Sequence, residues 1–450
     1  MAKSRGSFIG GVLPLLFLLA CATPAVVADG GEDDGGAISR FQQYLQINTA
    51  HPTPDYAGAG EFILSLAREL ALGSEVLEFV PGKPLFLLKW AGRDASLPAV
   101  LLNSHTDVVP VEAHKWSRSP FAASIDPETG NIYARGSQDM KSVGIQYLEA
   151  IRRLKAAGFV PDRTIYLSFV PDEEIGGRDG AEAFAVSDKF RDIGVGFVLD
   201  EGLPSAGGEY RVFHGERSPW WTVIKAFGAP GHGAKLYDNS AMENLVKSLE
   251  VIRRFRAAQF RLFNAGEKAE GEVISVNMVY LKAGTPSPTG FVMNLQPSEA
   301  EAGLDIRVPP NVDTEALVRR IADEWAPSSR NMTFEFKVKV PVEDMYGKPA
   351  ITPVDSSNPW WALLEDAVKK AGGKLSKPEI FPASTDARSF RQLGLPAIGF
   401  SPIANTPSLL HDHDEYLGKA EYLKGITVYE SIIRAFGSYT LEGSRTKDEL

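Results

Sequence analysis

His105, Asp139, the adjacent pair Glu173-Glu174, Asp200 and His411 are the residues whose types and placement could do chemistry. Three of these positions follow apolar runs of strand character. Residues 99–102 lead into Asn-Ser-His105-Thr-Asp107, residues 164–170 into Pro-Asp-Glu173-Glu174, and residues 195–199 into Asp200-Glu201-Gly202. In an open α/β sheet, ligands gather beyond the carboxyl ends of the strands. Two imidazoles and three carboxylates meeting there can hold two divalent cations. None is a cysteine, so nitrogen and oxygen donors point to zinc or a similar borderline metal. Two such ions need a shared anion, and Asp139, in Ala134-Arg-Gly-Ser-Gln-Asp-Met-Lys141, suits that place. One carboxylate of the Glu pair then binds metal and the other stays free as a general base; adjacency alone does not say which. Asp107 lies two residues past His105, so on an extended chain both point the same way and the carboxylate can orient the imidazole.

The elements that must position these residues read as an α/β fold. From residue 37 onward, helical patterns alternate with apolar strand-like runs, which argues for a mostly parallel sheet covered on both faces. Ile145, Leu148, Ile151 and Leu154 recur at helical spacing after the Asp139 loop. The pattern changes near residue 216. Strand-like stretches at 220–227, 272–282, 300–308 and 333–340 interleave with a helix over 241–257 and another opened by Asp313. The order β-α-β-β-α-β is that of a split βαβ sandwich. Residues 216–340 therefore read as an inserted α+β domain. The catalytic domain spans 37–215 and 341–440, because His411 must rejoin ligands from before residue 202. Helix at 360–371, strand at 396–400 and helix at 422–436 complete it. Residues 29–36, acidic and Gly-rich, read as disordered.

The 450 residues are 44% hydrophobic and 23% charged, ordinary globular values, and the net charge of -10 argues against a nucleic-acid surface. No P-loop or Gly-x-Gly-x-x-Gly fingerprint points to nucleotides. Residues 1–28 read as a signal peptide: Lys3 and Arg5, an apolar run over 12–19 too short to favour a spanning helix, and small residues up to Ala28. The chain ends in Lys447-Asp-Glu-Leu450, the retrieval address of the endoplasmic reticulum lumen. The expected product is a soluble lumenal protein with no membrane contact after cleavage. The only cysteine, Cys21, falls in the leader, so the mature chain is expected to hold no disulfide. One glycosylation sequon stands at Asn331-Met332-Thr333.

The segments Leu101-Leu-Asn-Ser-His-Thr-Asp-Val-Val-Pro110, Tyr133-Ala-Arg-Gly-Ser-Gln-Asp-Met-Lys141, Phe169-Val-Pro-Asp-Glu-Glu-Ile-Gly-Gly177, Leu199-Asp-Glu-Gly202 and His411-Asp-His-Asp-Glu415 carry a family resemblance. They are similar to those of the di-zinc metallopeptidase family that includes acetylornithine deacetylase and glutamate carboxypeptidase, and most of all to its aminoacylase members. The similarity runs from residue 38 to 436 and takes in Ser218-Pro-Trp-Trp221 and Asn358-Pro-Trp-Trp361. The resemblance implies that His105, Asp139, Glu174, Asp200 and His411 hold two Zn2+ per subunit, with Asp139 bridging. It makes Glu173 the general base and Asp107 the partner of His105. The insert becomes a lid and dimerisation domain of a homodimer. His232, in Gly228-Ala-Pro-Gly-His-Gly233, would stabilise the oxyanion in the partner subunit's site. Asn294, Arg307, Thr385, Asp386 and Arg388 match positions near substrate, and Arg388 could take a substrate carboxylate bidentately. His51, His114, His214 and His413 match no ligand and read as structural. The implied activity is hydrolysis of N-acyl-L-amino acids to a carboxylate and a free amino acid by metal-activated water. A dipeptidase or carboxypeptidase on the same scaffold is the alternative. Relatives that cleave auxin–amino acid conjugates can share the lumenal address but use a Cys ligand, which the mature chain lacks.

Overall fold

The computed structural model describes residues 30–440, with side chains from Asp34 onward. The expected leader over 1–28, Cys21 and Lys447–Leu450 lie outside the described residues. Among those residues, no helix is long and apolar enough to cross a membrane.

The chain opens with helices α1 (Gly30–Gln46) and α2 (Tyr56–Glu69), then strands β1 (Gly73–Val80), β2 (Lys83–Trp90) and β3 (Ala99–His105). After the Asp139 loop come α3 (Lys141–Ala156), β4 (Ile165–Val170), β5 (Val195–Asp200) and β6 (Val212–Glu216). The insert follows: β7 (Ser218–Phe227), β8 (Gly231–His232), α4 (Ala241–Asn264), β9 (Ser275–Ala283), β10 (Leu295–Gln296), β11 (Glu299–Val308), α5 (Thr314–Arg320) and β12 (Met332–Lys339). The chain returns through α6 (Pro359–Lys370), β13 (Glu379–Phe381), α7 (Ala387–Gln392), β14 (Ala397–Phe400) and α8 (Lys419–Ser438).

The first departure from expectation is at the start. Residues 30–36 are helical, not disordered. Ala37, Phe41, Tyr44 and Leu45 of the same helix are buried in the main core, and Asp34 pairs with Arg153 at 2.8 Å. Burial of a few large apolar side chains, about 1.5–3 kcal/mol each, offsets the weak helix propensity of the Gly-rich turn.

One eight-stranded sheet runs in the order β1-β2-β4-β3-β5-β14-β6-β13. Its centre is parallel: β3 pairs in parallel with β4 and β5, and β14 with β5. Strands β1 and β2 add an antiparallel edge, and β6 runs against β14. Every residue of β3 and β4 is buried, the near-continuous apolar pattern of strands covered on both faces. The helix after the Asp139 loop buries Ile145, Leu148, Ile151 and Leu154 as their spacing requires.

The insert has its own four-stranded sheet, ordered β9-β11-β7-β12, backed by α4 and by a core that includes Trp220, Leu245, Ile252, Leu304 and Trp325. Asp313 caps α5 by accepting the Ala316 N–H at 2.8 Å. Leu245 and Ile252 are buried against this sheet and Leu249 packs beside them, the face that the sequence spacing gives. At the sheet's free β9 edge, Val279 and Leu281 are 62% and 60% exposed.

Candidate metal centre

His105 closes β3 and is buried. Its Nδ1 lies 2.8 Å from the carbonyl oxygen of Asp107, which turns Nε2 toward Asp139 Oδ1 at 3.0 Å. His411 Nε2 approaches the other oxygen of the same carboxylate, Asp139 Oδ2, at 3.2 Å, and Glu174 Oε2 at 3.0 Å. Each oxygen of Asp139 thus faces a different imidazole. The donors form two sets, His105–Asp139–Glu201 and Asp139–Glu174–His411, the atoms of each within 4.8 Å of one another.

The structure corrects one expected ligand. Asp200 ends β5 and stands outside both donor sets; its Oδ1 accepts the Asn103 side-chain N–H at 3.0 Å and its Oδ2 is buried without a hydrogen-bond partner. Glu201, the first residue past the strand, brings Oε2 to 3.7 Å from His105 Nε2. Side chains of successive extended residues point opposite ways, so only one member of an Asp-Glu pair can face the cluster. Asn103 decides which, and neither the spacing nor the motif carried that information.

Asp139 is placed by a residue that had been read only as part of a motif. Glu415, fully buried, accepts N–H groups from Gln138 at 2.6 Å and Gly136 at 3.1 Å, and Arg135 Nη1 at 2.8 Å. This ties the Asp139 loop to the segment that carries His411.

The Glu173-Glu174 turn is held in a similar way. It begins at Asp172, in the left-handed region at φ 64°, and ends at Gly176, φ 108°. Only glycine adopts the second value without strain. Tyr56, at the start of α2, donates its hydroxyl to Asp172 Oδ1 at 2.6 Å and accepts the Asp172 N–H at 3.0 Å. Lys83 Nζ lies 2.5 Å from Asp172 Oδ2. Asp107 Oδ1 accepts the Glu173 N–H at 3.2 Å, and Oδ2 accepts the Glu174 N–H at 3.1 Å. Asp107 therefore acts on His105 through its carbonyl, while its carboxylate, 3.7 Å from Nδ1, organises the Glu pair. His51, read as structural, puts Nε2 2.8 Å from Asp107 Oδ2. His51, Asp107 and Asp172 form a third cluster of donor atoms. Within it Asp172 already has Tyr56 and Lys83 as partners, and Lys83 is shared with Asp179 at 2.5 Å.

The electrostatics of the centre call for cations. Burial works to raise Asp139, but the imidazoles of His105 and His411 outweigh it and hold that carboxyl below the usual range. The Asp139 and Glu174 carboxylates push His411 up to about 10. Glu173 is raised well above the carboxylate range by burial and then by Glu201. Burial and Asp139 raise Glu174 and Glu201. Glu174 Oε1 is buried with no hydrogen-bond partner. Crowded carboxylates, two imidazoles and an orphaned buried oxygen fit two bound divalent cations, with Asp139 between them.

Glu173, Glu174, Asp139, Glu201 and His411 open onto a cavity of about 620 Å³, and Arg307, Thr385, Asp386 and Arg388 also line it. Arg307 is paired with Asp305 through Nε at 2.8 Å and Nη2 at 3.0 Å. The Thr385 hydroxyl donates to the buried Glu216 at 2.7 Å, so it shapes its loop from behind. Arg388 Nη2 donates to the Gly176 carbonyl at 3.3 Å. His232 and Asn294 are not brought to this cavity within the chain. They sit side by side, exposed, where β8 pairs with β10 and the Gly233 N–H donates to Asn294 O at 2.7 Å.

Residues 101–435 match the peptidase family M20/M25/M40. The chain belongs to that family. It is 44% identical over 414 residues to aminoacylase-1 of Mus musculus, covering 92% of this chain and 98% of the relative. Among solved structures, it resembles the aminopeptidase PepT of Bacillus cereus ATCC 10987 with a TM-score of 0.67 and 16% identity, over 90% of this chain and 98% of that one. The Bacillus subtilis YXEP protein, described as a dinuclear metal binding peptidase of the M20 family, aligns with a TM-score of 0.61 at 15% identity, over 90% and 98%. As an M20 chain fitting the aminoacylase-1 members, the protein is a hydrolase acting on amide bonds. The M20 fold accounts for the mixed, largely parallel sheet.

Proposed function

We propose that the protein hydrolyses N-acyl-L-amino acids, using two Zn2+ per subunit, in the lumen of the endoplasmic reticulum. The observation that carries the chemistry is the Asp139 carboxylate with one imidazole at each oxygen, in a cavity lined also by Glu173 and two arginines. The 44% identity to aminoacylase-1 favours acyl amino acids over free peptides as substrates.

His105, Asp139, Glu174, Glu201 and His411 would hold the metals. When bound, these polarise the acyl carbonyl and make water acidic enough to attack at neutral pH. Glu173 takes the proton of the attacking water and delivers it to the leaving amine. Its backbone is fixed by Asp107, so the carboxylate is presented at a set distance from the ligand Glu174. Arg388, which lines the cavity, would take the substrate carboxylate, with Arg307, paired to Asp305, beside it. His232 lies outside its own cavity, and a partner subunit's cavity is the place where its N–H would reach an oxyanion. The exposed apolar β9 edge supports a homodimer.

The test is a substrate panel on purified, zinc-loaded protein. N-acetyl-methionine should be cleaved with the higher kcat/KM; a preference for unblocked dipeptides would favour a dipeptidase or carboxypeptidase on the same scaffold. The compartment is tested by removing Lys447–Leu450, which should release active protein from the cell.

A further inference from the structure

We propose that Asn331 carries an N-linked glycan, placed where it leaves both the cavity and the β9 edge open. The proposal rests on the lumenal reading for its encounter with the transferring enzyme, and on the fold for the site itself. Asn331-Met332-Thr333 is the one sequon of the chain. Asn331 ends a short turn in the left-handed region, φ 51° and ψ 47°, and leads into β12. Asn331 and Thr333 are exposed, while Met332 between them is 3% exposed and packs into the core of the insert. Along an extended chain, residues two apart share a face. The buried Met332 thus turns both sequon side chains to solvent.

The position along the sheet matters as much. β12 forms the opposite edge from β9, with β7 and β11 between them. Three strand spacings separate the two edges, about 14 Å. Met332 pairs with Ala226, at one end of β7, whereas Arg307 pairs with Pro219, a cavity residue, at the other. The separation along β7 is about 23 Å at the usual rise per residue. The Phe227 N–H donates to Asn331 O at 2.9 Å; past it the chain turns toward β11, the Gly228 N–H donating to Ser298 O at 2.9 Å, and His232 pairs with Leu295 on that side of β7. A glycan here would add bulk and hydration to the β12 edge.

The transfer balances simply. An oligosaccharide leaves its lipid diphosphate carrier as the bond from its first sugar carbon to phosphate oxygen breaks. That carbon bonds to Asn331 Nδ2, and Nδ2 gives up a proton.

The experiment expresses the full chain in cells with lumenal glycan transfer, once with its own N-terminus and once behind an independent cleavable leader. The expected result is a single glycan on lumenal protein, removed by an amidase that converts Asn331 to Asp, read by peptide mass spectrometry. Asn331→Gln and Thr333→Ala should each abolish it and Thr333→Ser keep it, with N-acetyl-methionine hydrolysis unchanged. Thr333→Ala keeps Asn331 in its turn, so loss of the glycan there is not a folding defect. Lumenal protein from the independent leader with Asn331 unmodified overturns the proposal. A glycan with the independent leader but none with the native N-terminus supports the site and overturns the compartment reading instead.

Discussion

His51 Nε2 lies 2.8 Å from Asp107 Oδ2, the same oxygen that accepts the Glu174 N–H at 3.1 Å. Asp107 is fully buried, and its carboxylate joins an imidazole to the turn that carries Glu173 and Glu174. The hydrogen bond to Asp107 raises His51 above its ordinary value of 6.5. A raised imidazole stabilises the fold most when it is protonated in both states, below the unfolded value, and that contribution is lost as pH rises through the folded value. His51→Gln should therefore cost more stability at about pH 6 than at about pH 9. Denaturant midpoints of both proteins across that range read the difference, and a gap that widens with pH would show that the charge of His51 is not what Asp107 holds.

The exchange of Asp200 for Glu201 makes a second prediction. Glu201→Gln should weaken metal binding at one of the two positions. Outer-sphere partners already cost about 10–100-fold in metal affinity, and a direct donor should cost at least the upper end. Asp200→Asn keeps an oxygen for the Asn103 N–H and should retain both metals. Metal analysis after dialysis against a graded chelator separates the two. Loss of metal from Asp200→Asn with full occupancy in Glu201→Gln would restore the assignment read from the sequence.

The Glu pair should divide in the same manner. Glu173→Gln should keep its metal and lose about 10²–10⁴ in kcat, the usual worth of a general base. Glu174→Gln should lose metal, since Glu174 Oε2 shares the Asp139–His411 donor set. The reverse pattern would mean that the two neighbours have exchanged roles.

Much of the architecture was legible because periodicity reports burial. The apolar runs before His105, Glu173 and Asp200 became β3, β4 and β5, and the β-α-β-β-α-β order of the insert appears in β7, α4, β9, β11, α5 and β12. What escaped depends on contacts between distant parts of the chain. Asn103 selects Glu201 over Asp200 from a neighbouring strand. Glu415 reaches the Asp139 loop across more than half the chain. His51 meets Asp107 only because the segment before α2 folds over the end of β3. Local spacing contains none of these. The helix over residues 30–36 was missed for a related reason: composition described the segment as solvent-loving, while the side chains that hold it come just after it, at Ala37 and Phe41.

His232 supplies the last prediction, because it is exposed and stands apart from the residues that line its own chain's cavity. If it serves the partner's centre, His232→Ala and Glu173→Gln homodimers should each be nearly inactive. Loss of one oxyanion donor costs about 2.7–4 kcal/mol, so both parents leave a low background. Mixing them under conditions that exchange subunits pairs an intact His232 from one chain with an intact Glu173 from the other. With random exchange in a two-fold dimer, about half the dimers are mixed and each has one complete site of two, so activity should rise toward about one quarter of wild type. Mass spectrometry of the intact dimers establishes that exchange has occurred. Heterodimers that form yet stay at the parental rate would mean either that His232 does not act or that it acts within its own chain, which would require the loop now held by the pairing of β8 with β10 to move.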